Sequence, residues 1–465
     1  MSAGGVRCPE ICLITAVASC FFLALKIHQY RAFDAHWELA GFESLLWETL
    51  HGHLLGYTTP GSSFLAQHFS PILLALVPFY ALFQSPVTLL VIQALAASLA
   101  LVPLYYLSLQ ILANRWYATA MTLAFFFSRV VNYGLMYNFH MEIFYPLFYF
   151  PLFLAAERKR WTAFYVLLLL TLTVKEDACI ANAGLGLYLL FSGHRKHGII
   201  TFLGSLVAFL VIVGSVIPAF GTGARGSYPF VHYWSGYGTT MPEILRNMLN
   251  PLRHFEVIFT PAKLAKMFNL FSVFLFLPLL NWRVLLFLVV PSWFILYSSD
   301  NPLLYGVANY YGLQITPFLF YGSLVVLRRM QEWRLWRSRS FLLVATTLIL
   351  LVNLGNSRIF KQLNPAYWRV DPRFQVAEEM IESIPGQAPV AAQVDLVSHV
   401  PVRAGRFLLP YGIDEADYLL FDLAGSGYPL SRPENVALAT SLRESGSWTV
   451  LQEKDGFVLM RRNPA

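Results

Sequence analysis

Long apolar stretches dominate the chain and constrain its fold more than any other feature. Residues 11–27, 87–112 and 199–220 are clear examples, and a helix needs about 20 apolar residues to cross a bilayer. Charged residues make up 13% of the 465 positions and hydrophobic residues 57%, whereas a soluble domain has about 25% charged residues. So few charges could not cover a water-exposed surface. The chain is therefore predicted to be an all-α polytopic membrane protein.

The basic residues cluster in short connectors between these stretches. They are Arg158, Lys159, Arg160, Arg195, Lys196, Arg328, Arg329, Arg334, Arg337 and Arg339. Such connectors mark cytoplasmic loops, so the net charge of +7 does not indicate nucleic-acid binding. This pattern predicts a protein of the cell membrane with about eleven transmembrane helices. Its N-terminus is predicted to be cytoplasmic and its C-terminus extracytoplasmic. Lys26 and His28 follow the first apolar stretch where a signal peptide would be cleaved, which predicts a retained helix.

The composition changes after residue 356, and two domains are predicted. Residues 1–356 form the transmembrane domain, with outer loops at 28–86 and 221–266. Residues 357–465 form a small α/β extracytoplasmic domain, in which an amphipathic helix at 373–384 precedes short strands. The predicted strands are residues 390–393, 407–409, 418–421, 448–452 and 457–461. An Asp-Gly pair between the last two predicts a hairpin turn.

With this topology, most of the unusual polar residues gather at the outer face. They are Asp34, Glu38, Glu43, Glu48, His51, His53, His68, His140, Glu142, Lys175, Glu176, Asp177, Arg225, His232, Arg246, Arg253 and His254. Ionisable groups at membrane depth are costly unless paired, and they usually mark function. One functional site is therefore predicted at this face. The four cysteines show no metal-ligand spacing, and no metal site is predicted.

Three consecutive charges, Lys175, Glu176 and Asp177, interrupt an apolar stretch from residue 162 to residue 191. Lys175 could hold an anionic phosphate, while the two carboxylates orient a sugar hydroxyl or form inward salt bridges. The alternative is a tight turn between two helices at the membrane interface, where charges cost little.

The first outer segment offers carboxylates beside aromatic residues. Asp34 and Glu38 are four residues apart and would share one helical face, whereas Glu38 and Glu43 would not share one well. A single acid that reaches a cavity at the membrane surface can act as a general base towards a hydroxyl. A solvated amphipathic helix lying on the membrane would show the same spacing.

Several stretches, in order, resemble the signature of a prokaryotic membrane family known as domain of unknown function 2079. They are HFSPILL at 68–74, NFHME at 138–142, VKED at 174–177, IP at 384–385 and ADY at 416–418. The resemblance runs from about residue 38 into the C-terminal domain. Each stretch alone is unspecific, but their order is specific.

That family is grouped with the GT-C class of membrane glycosyltransferases, so the resemblance implies a GT-C-like fold. It also implies a membrane-lipid partner, namely a polyprenyl-phosphate-linked sugar donor at the outer face, and an essential acid in the first outer loop. The family pattern has two aspartates before a tryptophan there. Trp47 would place Glu38 and Glu43 at those positions, each one methylene longer, and Asp34 is the nearest actual aspartate.

The candidate catalytic residues are therefore Glu38, Asp34 and Glu43. The candidate substrate-binding residues are His68, His140, Glu142, Lys175, Glu176, Asp177, Arg225 and Arg246. The predicted activity, inferred by analogy at the level of the fold, is transfer of a sugar to an acceptor. The alternatives are a lipid or solute transporter or flippase, although no internal repeat is visible, and a non-catalytic membrane scaffold.

Overall fold

The computed structural model describes residues 8–57, 63–221, 231–306, 309–332 and 339–464. Helices make up the larger N-terminal part, and a five-stranded sheet with flanking helices forms the C-terminal part. The predicted order of a helical domain followed by a small α/β domain is present.

The N-terminal part consists of helices of very different lengths. The α-helices are α1 (Pro9–Arg31), α2 (Trp37–Leu50), α3 (Val77–Leu82), α4 (Pro86–Leu99), α5 (Leu101–Leu112), α6 (Arg115–Phe127), α7 (Arg129–Met136), α8 (Phe144–Glu157), α9 (Trp161–Leu172), α10 (Ala178–Phe191), α11 (Arg195–Val211), α12 (Ile217–Phe220), α13 (Met241–Met248), α14 (Pro251–Ile258), α15 (Pro261–Ser272), α16 (Trp282–Val284), α17 (Val290–Ser298), α18 (Pro302–Tyr305), α19 (Gly312–Met330), α20 (Arg339–Gly355) and α21 (Ile359–Gln362).

Among the described residues, three helical stretches are long and apolar enough to cross a membrane. They are Pro9–Arg31, Pro86–Leu112 and Arg195–Phe220, and each coincides with a predicted crossing. The other apolar helices have 10–17 residues, which is short of the usual span of about 20. When only helices of sufficient length are counted, the described residues therefore contain fewer crossings than the predicted total of about eleven.

Breaks within the helices account for two of the short lengths. The crossing predicted at residues 116–134 divides at Ser128 into α6 and α7. The one predicted at residues 284–297 contains a π-helical turn, Leu285–Val289, just before Pro291. Proline has no backbone N–H and its ring clashes with the preceding turn, so an uninterrupted α-helix is disfavoured there.

Helices α10 and α11 pack closely at two glycines. A Cβ atom at Gly186 would collide with the backbone of Phe202, and one at Gly198 would collide with the backbone of Leu190. Small residues allow such close approach between membrane helices. This contact fixes the helix that follows the charged turn at Lys175–Asp177.

The sheet of the C-terminal domain has the strand order β2-β1-β3-β5-β4. Its strands are β1 (Val390–Ala392), β2 (Arg406–Leu408), β3 (Tyr418–Asp422), β4 (Trp448–Lys454) and β5 (Phe457–Arg462). The two parallel pairings join β1 to β2 and β3, and the other pairings are antiparallel. Asp455 and Gly456 turn the β4–β5 hairpin with φ values of 50° and 84°, as the Asp-Gly signal predicts.

Two helices flank the sheet. Helix α22 (Phe374–Ser383) matches the predicted amphipathic helix, whereas α23 (Arg432–Glu444) is not among the predicted elements. The sequence signal for the start of α23 is a capping box, in which the side chains of Ser431 and Glu434 each accept a hydrogen bond from the other residue's backbone N–H.

The C-terminal domain packs directly on the first outer segment. Phe33 and Ala40 share one buried apolar cluster with Ala377 and other residues of the C-terminal domain. The ring of His399 stacks on Phe33 with 3.6 Å between centroids. Helix α2 therefore lies between the membrane domain and the C-terminal domain.

Candidate functional site

Helix α2 carries Glu38 in its first turn, and the entry to this helix is held from both domains. The backbone N–H of His36 donates to Asn138 Oδ1 at 2.8 Å. The hydroxyl of Ser398, in the C-terminal domain, donates to the His36 carbonyl at 3.1 Å. Because Asn138 is two residues before His140, these bonds bring Glu38 towards the turn that bears His140.

Four side chains of alternating charge form one continuous series of contacts, which we name the acid–base chain. His140 Nε2 lies 3.2 Å from Glu38 Oε2, and His140 Nδ1 lies 3.6 Å from Glu142 Oε2. Lys175 Nζ donates to Glu142 Oε1 at 3.1 Å. The structure thus brings together residues from three of the predicted outer segments.

The acid–base chain is partly exposed at Glu38 and buried elsewhere. The side chain of Glu38 is 21% exposed, whereas those of Lys175, His140 and Glu142 are 10%, 6% and 2% exposed. A molecule approaching from the surface would therefore meet the Glu38 carboxylate, and the ammonium group of Lys175 is nearly as enclosed as the ring of His140.

Neighbouring charges, rather than burial, set the protonation states of these groups. Burial alone would raise the pKa of Glu38, but the charge and hydrogen bond of His140 outweigh it and lower that pKa. Burial would lower the pKa of His140, and the charges and hydrogen bonds of Glu38 and Glu142 raise it instead. The pKa of Lys175 is raised in the same way, against burial, by Glu142 and Asp177. Alternating charges therefore favour ionised carboxylates and a protonated imidazole.

Two adjacent tyrosines pack against the acid–base chain. The ring of Tyr310 stacks on His140 with 3.4 Å between centroids, and Lys175 Nζ lies 5.4 Å from the ring centre of Tyr311. The sequence analysis did not select either tyrosine. Aromatic residues at the ends of apolar helices are common interfacial anchors, so their pattern gave no reason to prefer this pair.

A second set of contacts anchors the turn that carries Lys175. Glu176 Oε1 lies 2.8 Å from His68 Nδ1, and Glu176 Oε2 accepts the backbone N–H of Phe69 at 2.9 Å. The hydroxyl of Tyr145 donates to Asp177, and burial raises the pKa of Asp177 to about 6. His68, Glu176 and Asp177 thus lie next to the acid–base chain and hold its Lys175 end in place.

The other two candidate acids lie outside the acid–base chain. Glu43 is 1% exposed, and its Oε2 accepts from the Arg406 guanidinium at 2.6 Å. The hydroxyl of Tyr80 donates to the other oxygen of Glu43 at 3.2 Å. Asp34 is exposed before α2, and its electrostatic neighbours are basic groups such as Lys26 rather than His140.

The candidate loop arginines do not join this arrangement. Arg246 is exposed on α13, and Arg225 lies outside the described residues. Within the described part of the chain, no group of three or more His, Cys, Asp or Glu side chains is arranged to hold a metal ion.

Comparison with models of known protein families identifies the family of this chain. The model of the family described as "Predicted membrane protein (DUF2079)" matches residues 29–459. The chain belongs to this family. The resemblance seen in the sequence is confirmed, and the match includes nearly all of the C-terminal domain. No curated protein sequence matches the chain significantly.

Solved structures show which fold this DUF2079 protein has. It is similar to the crystal structure of ArnT from Cupriavidus metallidurans bound to undecaprenyl phosphate, with a TM-score of 0.56, 12% identity and coverage of 100% of both chains. The structure of the same ArnT in the apo state gives a TM-score of 0.55 and 13% identity, over 98% of this chain and 99% of that one. ArnT has a GT-C fold, so this chain is a membrane protein with GT-C-type architecture.

Proposed function

We propose that this DUF2079 protein is a membrane glycosyltransferase that moves a sugar from a polyprenyl-phosphate carrier to an acceptor hydroxyl. The acid–base chain carries the proposal, because it presents an ionised carboxylate at Glu38 and a cation at Lys175, three contacts apart. The GT-C fold shared with ArnT, which has been crystallised with undecaprenyl phosphate, supports the same chemistry.

The proposed reaction is a single displacement at the anomeric carbon. The acceptor hydroxyl attacks this carbon and passes its proton to Glu38. The bond between the anomeric carbon and the phosphate oxygen breaks, and its electron pair leaves with the phosphate, so the configuration inverts. Proton transfer to a positioned side chain contributes about 10²–10⁴-fold to such reactions. His140 holds the Glu38 carboxylate in place through the 3.2 Å contact.

Lys175 is proposed to face the phosphate of the donor. A fixed cation stabilises the charge that develops on a leaving phosphate without any rearrangement during the reaction. Glu142 and Tyr311 fix the position of the ammonium group. His68, Glu176 and Asp177 are proposed to act on the donor indirectly, through the turn that carries Lys175.

The acid–base chain and the C-terminal domain are proposed to lie on the extracytoplasmic side. Helix α10 runs from the Lys175 turn to Ser192, which precedes Arg195 and Lys196 of a basic connector that is predicted to be cytoplasmic. In a variant without native cysteines, a membrane-impermeant maleimide added to intact cells should label Ser445→Cys, which is exposed in the C-terminal domain. It should spare Ser192→Cys. The reverse pattern would invert the proposed orientation and place the reaction in the cytoplasm.

Substitution of Glu38 tests the chemistry. Glu38→Gln keeps the shape of the side chain but cannot accept a proton, so we expect transfer to fall by about 10²–10⁴-fold. Asp34→Asn is the matched control, because this exposed acid is four residues away and outside the acid–base chain; its activity should stay near that of the native protein. The assay is transfer of labelled hexose from a panel of undecaprenyl-phosphate hexoses to membrane lipid extract by purified, reconstituted protein.

The thermal stability of each variant is measured alongside, so that loss of fold is not mistaken for loss of chemistry. Full activity of Glu38→Gln would remove Glu38 from the reaction. Absence of transfer by the native protein with every donor would favour the transporter or flippase alternative.

A further inference from the structure

A second polar pocket lies in the predicted outer loop and is separate from the acid–base chain. Its volume is about 360 Å³, and its lining includes Arg253, Glu256, Thr260, Lys263, Asp300 and Tyr305. These residues come from α14, α15 and the segment after α17. That segment precedes Tyr310 and Tyr311 in the chain, which pack against the acid–base chain.

Lys263 is the unusual residue of this pocket. It is 3% exposed, and its Nζ donates to the backbone carbonyl of Val257 at 2.9 Å. The rings of Tyr297 and Tyr305 lie 5.8 Å and 5.3 Å from Nζ. Within the described residues, no carboxylate forms a salt bridge with Lys263. An ammonium group has three N–H donors, and only one of them has a hydrogen-bond acceptor among the described residues.

The carboxylates that border the pocket are already engaged. Asp300 accepts the backbone N–H of Gly236 at 2.5 Å and the hydroxyl of Ser235 at 3.2 Å. Glu256 pairs with Arg253 at 2.9 Å near the surface. Burial lowers the pKa of Lys263, and the more distant Asp300 only partly opposes this. The buried cation therefore lacks a direct counter-ion among the described residues.

Tyr297 packs beside Lys263 and is not among the residues that line the pocket. Its side chain is 4% exposed, and its hydroxyl is buried without a hydrogen-bond partner among the described residues. An unsatisfied buried polar group is costly, and a charged one costs more. Lys263 is such a charged group, and it borders a pocket large enough for a small anionic group.

We propose that this pocket binds a phosphate group, which accepts hydrogen bonds from Lys263 while Arg253 closes the rim. Phosphate oxygens offer more acceptors than a carboxylate and so match several donors that converge from different elements. The same helices expose large apolar side chains, which suit a phosphate carried by a lipid. They are Leu252, Phe255, Leu264 and Phe268. This inference does not depend on the proposed sugar transfer.

Lys263→Met tests the site, because it keeps the apolar stem of the side chain and removes the charge. Lys266→Met is the matched control, since Lys266 is exposed three residues further along α15. In equilibrium dialysis with radiolabelled inorganic phosphate, we expect Lys263→Met to weaken binding about ten-fold or more, and Lys266→Met to bind like the native protein.

Thermal unfolding gives a second readout, because a ligand that binds only the folded state raises its stability. Without ligand, Lys263→Met should unfold at the same temperature as the native protein or higher, since it removes an uncompensated buried charge. Phosphate should raise the unfolding temperature of the native protein but not that of Lys263→Met. An equal rise in Lys263→Met and the native protein would overturn the proposal.

Short-chain lipids separate the two sources of phosphate. Dihexanoyl phosphatidylglycerol that competes with radiolabelled phosphate in the native protein, but not in Lys263→Met, would identify a lipid headgroup. Competition by inorganic phosphate alone would identify a soluble ligand, and both results support a phosphate site. Equal competition by acetate, or no phosphate binding to the native protein, would overturn it. These results are read without any transferase assay, so they stand apart from the outcome for Glu38.

Discussion

Helix α2 carries two of the candidate acids, Glu38 and Glu43, in very different surroundings. Glu38 lies at the exposed end of the acid–base chain, 3.2 Å from His140, and the charge of His140 lowers its pKa. Glu43 is sealed between the two domains, where it pairs with Arg406 and Tyr80. Burial raises the pKa of Glu43 despite the adjacent guanidinium.

This difference in exposure assigns Glu38 to the proposed chemistry and Glu43 to holding the two domains together. A carboxylate that is ionised and reachable can exchange a proton with a substrate, whereas one that is fully enclosed can only hold its neighbours. Arg406 also donates to the Ala40 carbonyl at 2.6 Å and to the Ser44 hydroxyl at 2.9 Å. The pair of Glu43 and Arg406, here named the interdomain pair, therefore fixes α2 against the C-terminal domain and so positions Glu38.

Removing the guanidinium of the interdomain pair should have the larger effect on stability. Arg406→Met leaves the Glu43 carboxylate buried without its partner, and breaking a buried pair in this way costs about 3–5 kcal/mol. We expect a lower unfolding temperature and faster proteolysis at the junction between the domains. The measurements are thermal unfolding and limited proteolysis of the purified full-length protein.

The double variant Glu43→Gln/Arg406→Met sharpens this test. It removes both charges, so it should recover much of the stability that Arg406→Met loses. Arg403→Met is the control, because Arg403 is equally buried in the C-terminal domain but donates to the backbone carbonyls of Pro385 and Pro401. Glu43→Gln should not rescue Arg403→Met. If it did, the interdomain pair would not be a specific contact.

The acid–base chain should give a smaller effect that depends on pH. The folded pKa values of Glu38 and Glu142 are lowered below 4.5, so their contribution to stability is present above about pH 4.5 and is lost as the pH falls through the lowered values. The folded pKa of His140 is raised above 6.5, so its contribution is complete below about pH 6.5 and is lost as the pH rises through the raised value.

The unfolding temperature of the native protein should therefore fall on the alkaline side, by an amount that corresponds to about 1.4 kcal/mol per unit of pKa shift. His140→Gln should lose this alkaline decline and the Glu38 part of the acid decline, and it should keep the Glu142 part, which depends on Lys175. His51→Gln, at an exposed position of the same outer segment, should keep both. An unfolding temperature of the native protein that stays constant from neutral to alkaline pH would contradict the pairing of His140 with Glu38 and Glu142.

Local patterns predicted much of the architecture. Three predicted crossings match helices long enough to span a bilayer, and all five predicted strands match strands of the sheet to within two residues. Such elements depend on hydrophobic periodicity and turn residues close in sequence. The number of crossings was less predictable, because proline and the break at Ser128 divide apolar stretches that look continuous in composition.

Such local patterns could not predict which side chains contact each other within the acid–base chain. The basic connectors predicted that Glu38, His140 and Lys175 share one face, but they did not predict that His140 bridges two carboxylates. Nor did they single out Tyr310, whose ring covers His140. In the first outer segment, the spacing predicted that Asp34 and Glu38 share a helical face, and it did not decide which of Asp34, Glu38 and Glu43 is the base.

The sequence alone determined that the chain is a mostly helical membrane protein with a small C-terminal sheet, and it predicted that the charges gather at one face, because polar groups are costly to place in hydrocarbon. Only the tertiary structure decided which acid is reachable and which is enclosed. Glu43 meets Arg406 across 363 positions of the chain, and Glu38 meets His140 across 102. Contacts over such distances depend on how the domains pack, and no local pattern encodes them.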